Sequence, residues 1–391
     1  MTRLLRPSSI RRALPDVLIF ADSVVSPEMR HEVPVLVPDP FLYVEKDGKR
    51  YSASSSFEVS RIAEAGIEAH PWEEFGYDEL IEKGLPREEI TWLHVNLNVC
   101  RSLGIEEATV PRSFPTLVAD HLRANGITIN PDYKFFADRR RVKTEAEIAG
   151  IRRAQKAAEA GMGAAKELLA RAERSNGSLS VDGEPLTSEL LKVAIRQAFT
   201  DHGVSGDDFI VSHGAQTAVG HDLGSGEIAP DEPVVIDLWP KDPESGCYAD
   251  MTRSYVVGTP PDELVEYHRL VKEALDISLA ATKAGVPGKE LFILVCEFFE
   301  EHGQKTALSK THGEVLEDGF FHGLGHGVGL EVHEAPGMGR GSVGELMAGD
   351  VVTLEPGLYR QGFGGCRLED LVLVTEDGAE NLTDFPYDLT P

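Results

Sequence analysis

Residues 322–334 read HGLGHGVGLEVHE, and this run governs the interpretation of the 391-residue chain. Three histidines, His322, His326 and His333, alternate with Gly323, Gly325, Gly327 and Gly329. Imidazoles at this density are the usual means of metal binding and acid–base chemistry, and glycines let backbone pass close to a ligand. Four glycines argue against a helix that would carry His322 and His326 one turn apart. The pattern therefore predicts a loop running into a strand over Val328 to His333, with one histidine on a metal and the others lining a pocket. The plain alternative is a glycine-rich turn with incidental histidines.

Acidic residues stand on either side at the ends of short β-rich runs. Asp237 closes the apolar run PVVIDL, Asp250 lies in YADMTRSYVV, Glu355 in DVVTLEP and Glu369 in CRLEDLVLV. Each alone reads as a solvated strand-end carboxylate, because ionised side chains are rarely buried without a partner. Taken together, Asp237, Asp250, His326, Glu355 and Glu369 offer four carboxylates and one imidazole, a set suited to two neighbouring divalent cations. Oxygen-rich ligation with one imidazole points to manganese, with cobalt, zinc or iron also accommodated. Two such ions lower the pKa of a shared water, so that hydroxide exists near neutral pH, and they polarise a carbonyl under attack. Without them four carboxylates would repel one another strongly.

With these motifs in view, VVIDLW, YADMTRSY, HGLGHGVGLEVHE, LEPGLY and GCRLEDLVLV, the sequence resembles the methionine aminopeptidase-like, or pita-bread, metallopeptidases. Within them it is most similar to the Xaa-Pro peptidases, prolidase and aminopeptidase P. The resemblance runs from about Lys143 to the C-terminus. It implies that Asp237 chelates a first metal, that Asp250 and Glu369 bridge both, and that His326 and Glu355 complete the second. It further implies Glu355 as general base or proton shuttle, His221 and His333 as substrate contacts, His322 as a further pocket histidine, and Arg367 as an arginine that orients the site. The implied reaction is hydrolysis of short peptides at Xaa-Pro bonds by a metal-bridging hydroxide. Hydrolysis of another C–N bond in a modified amino acid is an alternative, and so is a peptide-binding module without catalysis. The latter would show a substituted ligand, and none is substituted. One departure concerns residues 239–249, WPKDPESGCYA, which are longer than the usual turn between the two aspartates. Lys241 to Gly246 are turn formers, so the ligands survive while Trp239 and Pro240 alter the pocket rim.

The remainder of the chain supplies an α+β architecture. Its length suggests two domains, an N-terminal α/β domain over residues 1–140 and a catalytic domain over 141–391. Thr144 and Glu147 form a capping-box pattern opening a helix with Ile148, Ile151, Ala154, Ala158, Ala165 and Leu169 on one side. Further helices are expected over Thr187 to His202, Asp262 to Ala284 and Lys289 to His302. Strands are expected near Phe209 to Ser212, Pro233 to Trp239, Tyr248 to Val257, Val351 to Tyr359 and Cys366 to Thr375. Two helices followed by strands, twice over, suggest two related halves with the site between them. In the first domain the apolar runs Val17 to Phe20 and Val33 to Val37, the segment Leu93 to Val99, and the helical stretches Ser56 to Ala65 and Thr116 to Asn125 alternate in α/β fashion. The basic run Arg139 to Lys143 marks the junction and reads as a solvated charge run.

Composition narrows the partners. A net charge of −27 argues against nucleic acid or an anionic membrane. Cys100, Cys247, Cys296 and Cys366 show no CxxC spacing, which predicts free thiols in a reducing cytoplasm. Arg3 to Arg12 is basic, but the following LPDVLIF is too short and interrupted for a signal-peptide core, and no run is long enough for a membrane span. A homodimer is implied by the resemblance alone.

Overall fold

The computed structural model describes residues 15–175 and 177–391. The basic stretch Arg3 to Arg12 lies outside them. The chain divides into two compact units, one ending at Phe136 and one running from Ala137 to Pro391. The sequence reading draws that line at about residue 140.

The first unit is built on a six-stranded sheet in the order Glu68–Pro71, Lys49–Ser54, Phe41–Lys46, Val17–Ala21, Glu107–Val110, Thr128–Pro131. Strand alternation sends Leu18 and Phe20 to one core and Val17 and Ile19 to another, so both faces of the sheet are covered. The segment Leu93 to Val99 is helical, ending in Val95–Ser102. Its buried Val95 and Val99 stand one helical turn apart. Val33 to Val37 forms no strand, and Pro34 within it has no N–H to give a ladder.

The second unit starts from the capping box. Thr144 Oγ1 accepts from Glu147 N at 3.2 Å while the Glu147 carboxylate accepts from Thr144 N at 2.7 Å, and the helix Glu145–Ala170 follows. This helix and Ser188–Asp201 cover an antiparallel sheet of Ile210–His213, Pro233–Leu238 and Met251–Val256. Val234, Ile236 and Leu238 face the helices, so the pleat turns Asp237 to the opposite face. The second half repeats the plan. Helices Asp262–Ala281 and Gly288–Glu301 pack with Val352, Leu354, Val372 and Val374. These residues belong to a sheet ordered Glu334–Met338, Gly325–Gly327, Val351–Leu354, Asp370–Val374, Ala379–Asn381.

Four expectations need correction. Residues 328–333 are not a strand; the strands are Gly325–Gly327 before them and Glu334–Met338 after, with a register shift between His326 and Gly327. The ladder from Val351 to Tyr359 breaks at Glu355 and Pro356, because proline offers no donor. The ladder from Cys366 to Thr375 breaks at Leu368 and Glu369, where Glu369 instead bridges to Thr252. The run Arg139 to Lys143 is not a solvated charge run: Arg140, Arg141 and Lys143 are buried, with Arg140 paired to Glu331, Arg141 to Asp350 and Lys143 to Glu334.

The long turn after Asp237 is docked on the first helix. Asp242 accepts from Arg153 Nε at 3.0 Å and Nη2 at 2.9 Å, and a side chain at Gly150 would meet Ser245 Oγ at 1.9 Å. All four cysteines are free and buried. Among the described residues no helix is long and apolar enough to cross a membrane.

Phe299 is fully buried and its ring lies 5.4 Å from that of Phe320, tying the helix Gly288–Glu301 to the segment that leads into His322. Phe299→Ala is expected to destabilise the second unit by about 3–5 kcal/mol, read as a lowered denaturation midpoint by circular dichroism.

Candidate metal centre

One cavity of about 620 Å³ gathers the residues singled out in the sequence: His221, Asp237, Asp250, His322, His326, His333, Glu355, Arg367 and Glu369 all line it, beside Ile210, Trp239, Phe321 and Val332. Asp250, His326 and Glu369 each present a ligand atom within 4.8 Å of the others. Glu355 joins them through His326, whose Nε2 lies 3.5 Å from Glu355 Oε1 and 3.8 Å from Asp250 Oδ2. Asp237 is held differently, by an ion pair from Arg367 Nη2 to its Oδ2 at 2.6 Å. His221 sits at the exposed end of its loop, on the cavity rim.

Local structure explains each placement. Asp237 pairs with Thr252 across the sheet, and Thr252 reaches the other half of the site. Its Oγ1 donates to Glu369 Oε2 at 2.7 Å, and its carbonyl accepts from Glu369 N at 3.1 Å. Ser254 Oγ, two residues on, donates to Arg367 O at 2.9 Å. Thr353 Oγ1 accepts from His326 N at 3.1 Å, and Glu355, just past the strand end at Leu354, is held by its own N donating to Leu324 O at 2.8 Å.

Two observations show that this donor set fits a cation. His326 Nδ1 meets the Gly327 carbonyl at 3.1 Å, a contact that requires the proton on Nδ1. The Nε2 lone pair is left facing two carboxylates, and such a backbone contact is how proteins fix a metal-binding imidazole. Asp237 Oδ1 is buried without a hydrogen-bond partner, which is costly unless a cation supplies one.

The electrostatics agree. Burial, then Glu369, Asp237 and Glu355, push Asp250 well above the usual carboxylate range. Burial, then Asp237 and Glu355, do the same to Glu369. Burial raises Glu355 to about 7, and burial together with His333 lowers His326 to about 4. Raised carboxylates and lowered imidazoles are the directions expected where burial and close-set like groups act together.

His322 has a settled position. Its Nδ1 is 2.7 Å from the Gly323 carbonyl and its Nε2 is 2.9 Å from Tyr359 Oη, so Nδ1 donates and Nε2 accepts. Tyr359 Oη in turn accepts from Arg367 Nη1 at 3.1 Å. A chain of hydrogen bonds therefore runs from His322 through Tyr359 to Arg367 and Asp237. Burial, then Arg367, lowers His322 to about 4, keeping the ring neutral. Tyr359, Thr252 and Thr353 escape the sequence reading. For Tyr359 a signal exists, its place in LEPGLY; for the two threonines only their position on ligand-bearing strands would have indicated them.

Two half-sheets, with carboxylates converging from both and one imidazole from the second, form the pita-bread arrangement of a divalent-metal hydrolase site. The family model described as Metallopeptidase family M24 matches residues 149–376, and the chain belongs to that family. The chain is 35% identical over 257 residues to a Xaa-Pro dipeptidase of Pyrococcus furiosus, covering 64% of this chain and 66% of the relative. It is also 35% identical over 183 residues to the uncharacterized peptidase YqhT of Bacillus subtilis, covering 46% and 48%. The matched region spans just under two thirds of the first curated relative. In fold the chain is similar to prolidase from Pyrococcus furiosus, with a TM-score of 0.72 at 24% identity over 95% of this chain and 97% of the other. A comparable likeness joins it to the X-Pro aminopeptidase from Thermotoga maritima, with a TM-score of 0.72 at 23% identity over 96% and 95%.

An acid whose pKa is raised by folding holds its proton more tightly in the folded state, so its contribution to stability falls as pH rises through that window. For Glu355 the window runs from its ordinary 4.5 to about 7. In chelator-treated protein, the stability gained by Glu355→Gln over wild type is expected to grow across this window and level off above it. Melting curves of the two proteins at several pH values measure this directly.

Proposed function

We propose that this chain is a dinuclear metal-dependent peptidase of short peptides that cleaves Xaa-Pro bonds. The observation that carries the reading is the convergence of Asp250, His326 and Glu369 beside an Asp237 Oδ1 that lacks any partner. The 35% identity to a Xaa-Pro dipeptidase supports the choice of substrate. Asp237 would hold one ion, Asp250 and Glu369 both, and His326 and Glu355 the second. When bound, the two cations would supply Lewis acidity for the scissile carbonyl and acidify a water for attack.

The protein's own groups complete the work. Glu355, raised toward neutrality, is placed to take and return a proton. His221 and His333 face the open cavity and offer N–H donors to the substrate and to developing negative charge. Arg367 fixes the Asp237 carboxylate, and Tyr359 with His322 fixes Arg367. His322 is thus a support, since both its ring nitrogens are engaged. Manganese is the proposed ion, from the oxygen-rich donor set. A cytoplasmic setting is proposed from four free thiols, and a homodimer from the family resemblance.

Asp250→Ala or Glu369→Ala is expected to abolish both metal retention and hydrolysis of Xaa-Pro dipeptides. His333→Ala should lower turnover by about 10²-fold with metal content nearly intact. Elemental analysis after reconstitution with manganese, cobalt or zinc reads the first effect, and two ions per wild-type chain are expected. A single ion, or an active metal-free Asp250→Ala protein, would refute the dinuclear reading. Added metal should also raise the melting temperature of chelated protein.

A further inference from the structure

The run 139–143, RRRVK, carries three cations that turn inward instead of outward. Arg141 grips Asp350 through Nε at 2.9 Å and Nη2 at 2.6 Å. The other two close on the segment that bears His333. Lys143 Nζ donates to Glu334 and to Arg140 O at 2.6 Å. Arg140 Nη2 donates to Glu331 Oε2 at 2.6 Å, and its Nη1 stands 3.7 Å from Glu334 Oε2. The Lys143 and Glu334 side chains are each 2% exposed.

Glu331 and Glu334 bracket Val332 and His333, two residues of the cavity wall. The His333 ring lies 4.2 Å from that of His326. Residues 328–333 belong to no strand, and the backbone bonds from Val328 N to Val351 O and from Tyr248 N to Gly329 O anchor only the start of the segment, short of His333. A side chain at Gly329 would meet Lys143 Cε at 2.8 Å and Glu334 Oε1 at 2.6 Å, which shows how closely the segment is drawn around the pair. A buried carboxylate deprived of its cation must move toward water or protonate; the first response displaces this segment, and the second removes the ion pair that tethers it.

We propose that Lys143 and Arg140 are positioning residues: by pairing with Glu334 and Glu331 they fix residues 329–334 and so hold His333 in the cavity. The inference rests on the reading of His333 as a substrate contact. The competing explanation is that the ion pairs only stabilise the fold.

A double-mutant cycle separates the two. Lys143→Met, and the milder Glu331→Gln at a side chain 31% exposed, are each made in the wild-type and His333→Ala backgrounds. In the wild-type background kcat/KM for an Xaa-Pro dipeptide should fall about tenfold for Lys143→Met and about threefold for Glu331→Gln, with bound metal unchanged. Neither change should cost anything further once His333 is alanine. Amide hydrogen exchange over residues 328–334 should quicken in both variants while the helix Glu145–Ala170 keeps its protection. Full additivity with His333→Ala, or unchanged exchange over 328–334, overturns the positioning role. If Lys143→Met does not fold, Glu331→Gln carries the same test. Should His333→Ala leave turnover at the wild-type level, the substrate contact itself is refuted, and exchange alone then decides whether the basic run holds the segment.

Discussion

The fold is organised around a repulsion. Asp237, Asp250, Glu355 and Glu369 open on one cavity, and only Asp237 among them forms an ion pair with Arg367. Carboxylates so close cannot all ionise without compensation, and burial together with this repulsion raises Asp250, Glu355 and Glu369. Backbone that yielded would let them drift apart. What prevents this is their attachment to strand ends whose other faces are clamped by helices, with Val234, Ile236 and Leu238 on one side and Val352 and Leu354 on the other. Rigid elements hold a ligand set more closely than loops do.

Neither half completes the centre alone. The first delivers Asp237 and Asp250, the second His326, Glu355 and Glu369. Thr252 joins them, since its hydroxyl and carbonyl both bond Glu369. The hydrogen-bond chain from His322 through Tyr359 and Arg367 to Asp237 crosses the same seam. The orientation of a carboxylate in one half thus depends on groups in the other, the kind of outer hydrogen bonding that would orient donors around a cation.

Much of this was legible in the chain because the informative residues sit where local rules are strong. A carboxylate closing an apolar strand, as at Asp237, has its face set by alternation, and Thr144 with Glu147 announces a helix start. What escaped depends on distant partners. Nothing near Arg140 or Lys143 reveals that Glu331 and Glu334, some 190 positions away, will neutralise them. The apolar residues of Val328 to His333 read as a strand, yet the ladder shifts register after His326 and the segment lies beside the Arg140–Glu331 and Lys143–Glu334 pairs. The break at Glu369 is tertiary too, following from its bond to Thr252, whereas the break at Pro356 follows from a missing donor that the sequence itself displays.

Arg253 has a wider bearing than its burial suggests. From the strand Met251–Val256 it donates to the carbonyls of Thr252 and Glu369, to the Asp370 carboxylate, and to the carbonyls of Phe385 and Pro386, with Tyr387 against its guanidinium face. Each half has its own helix pair and apolar core and would, on that basis, be able to open separately. One buried side chain that bonds both halves and the closing segment at once removes that independence, because neither can loosen without stranding a desolvated charge. Opening either half alone therefore carries the cost of that stranded charge, which favours the two halves of a duplicated architecture opening together.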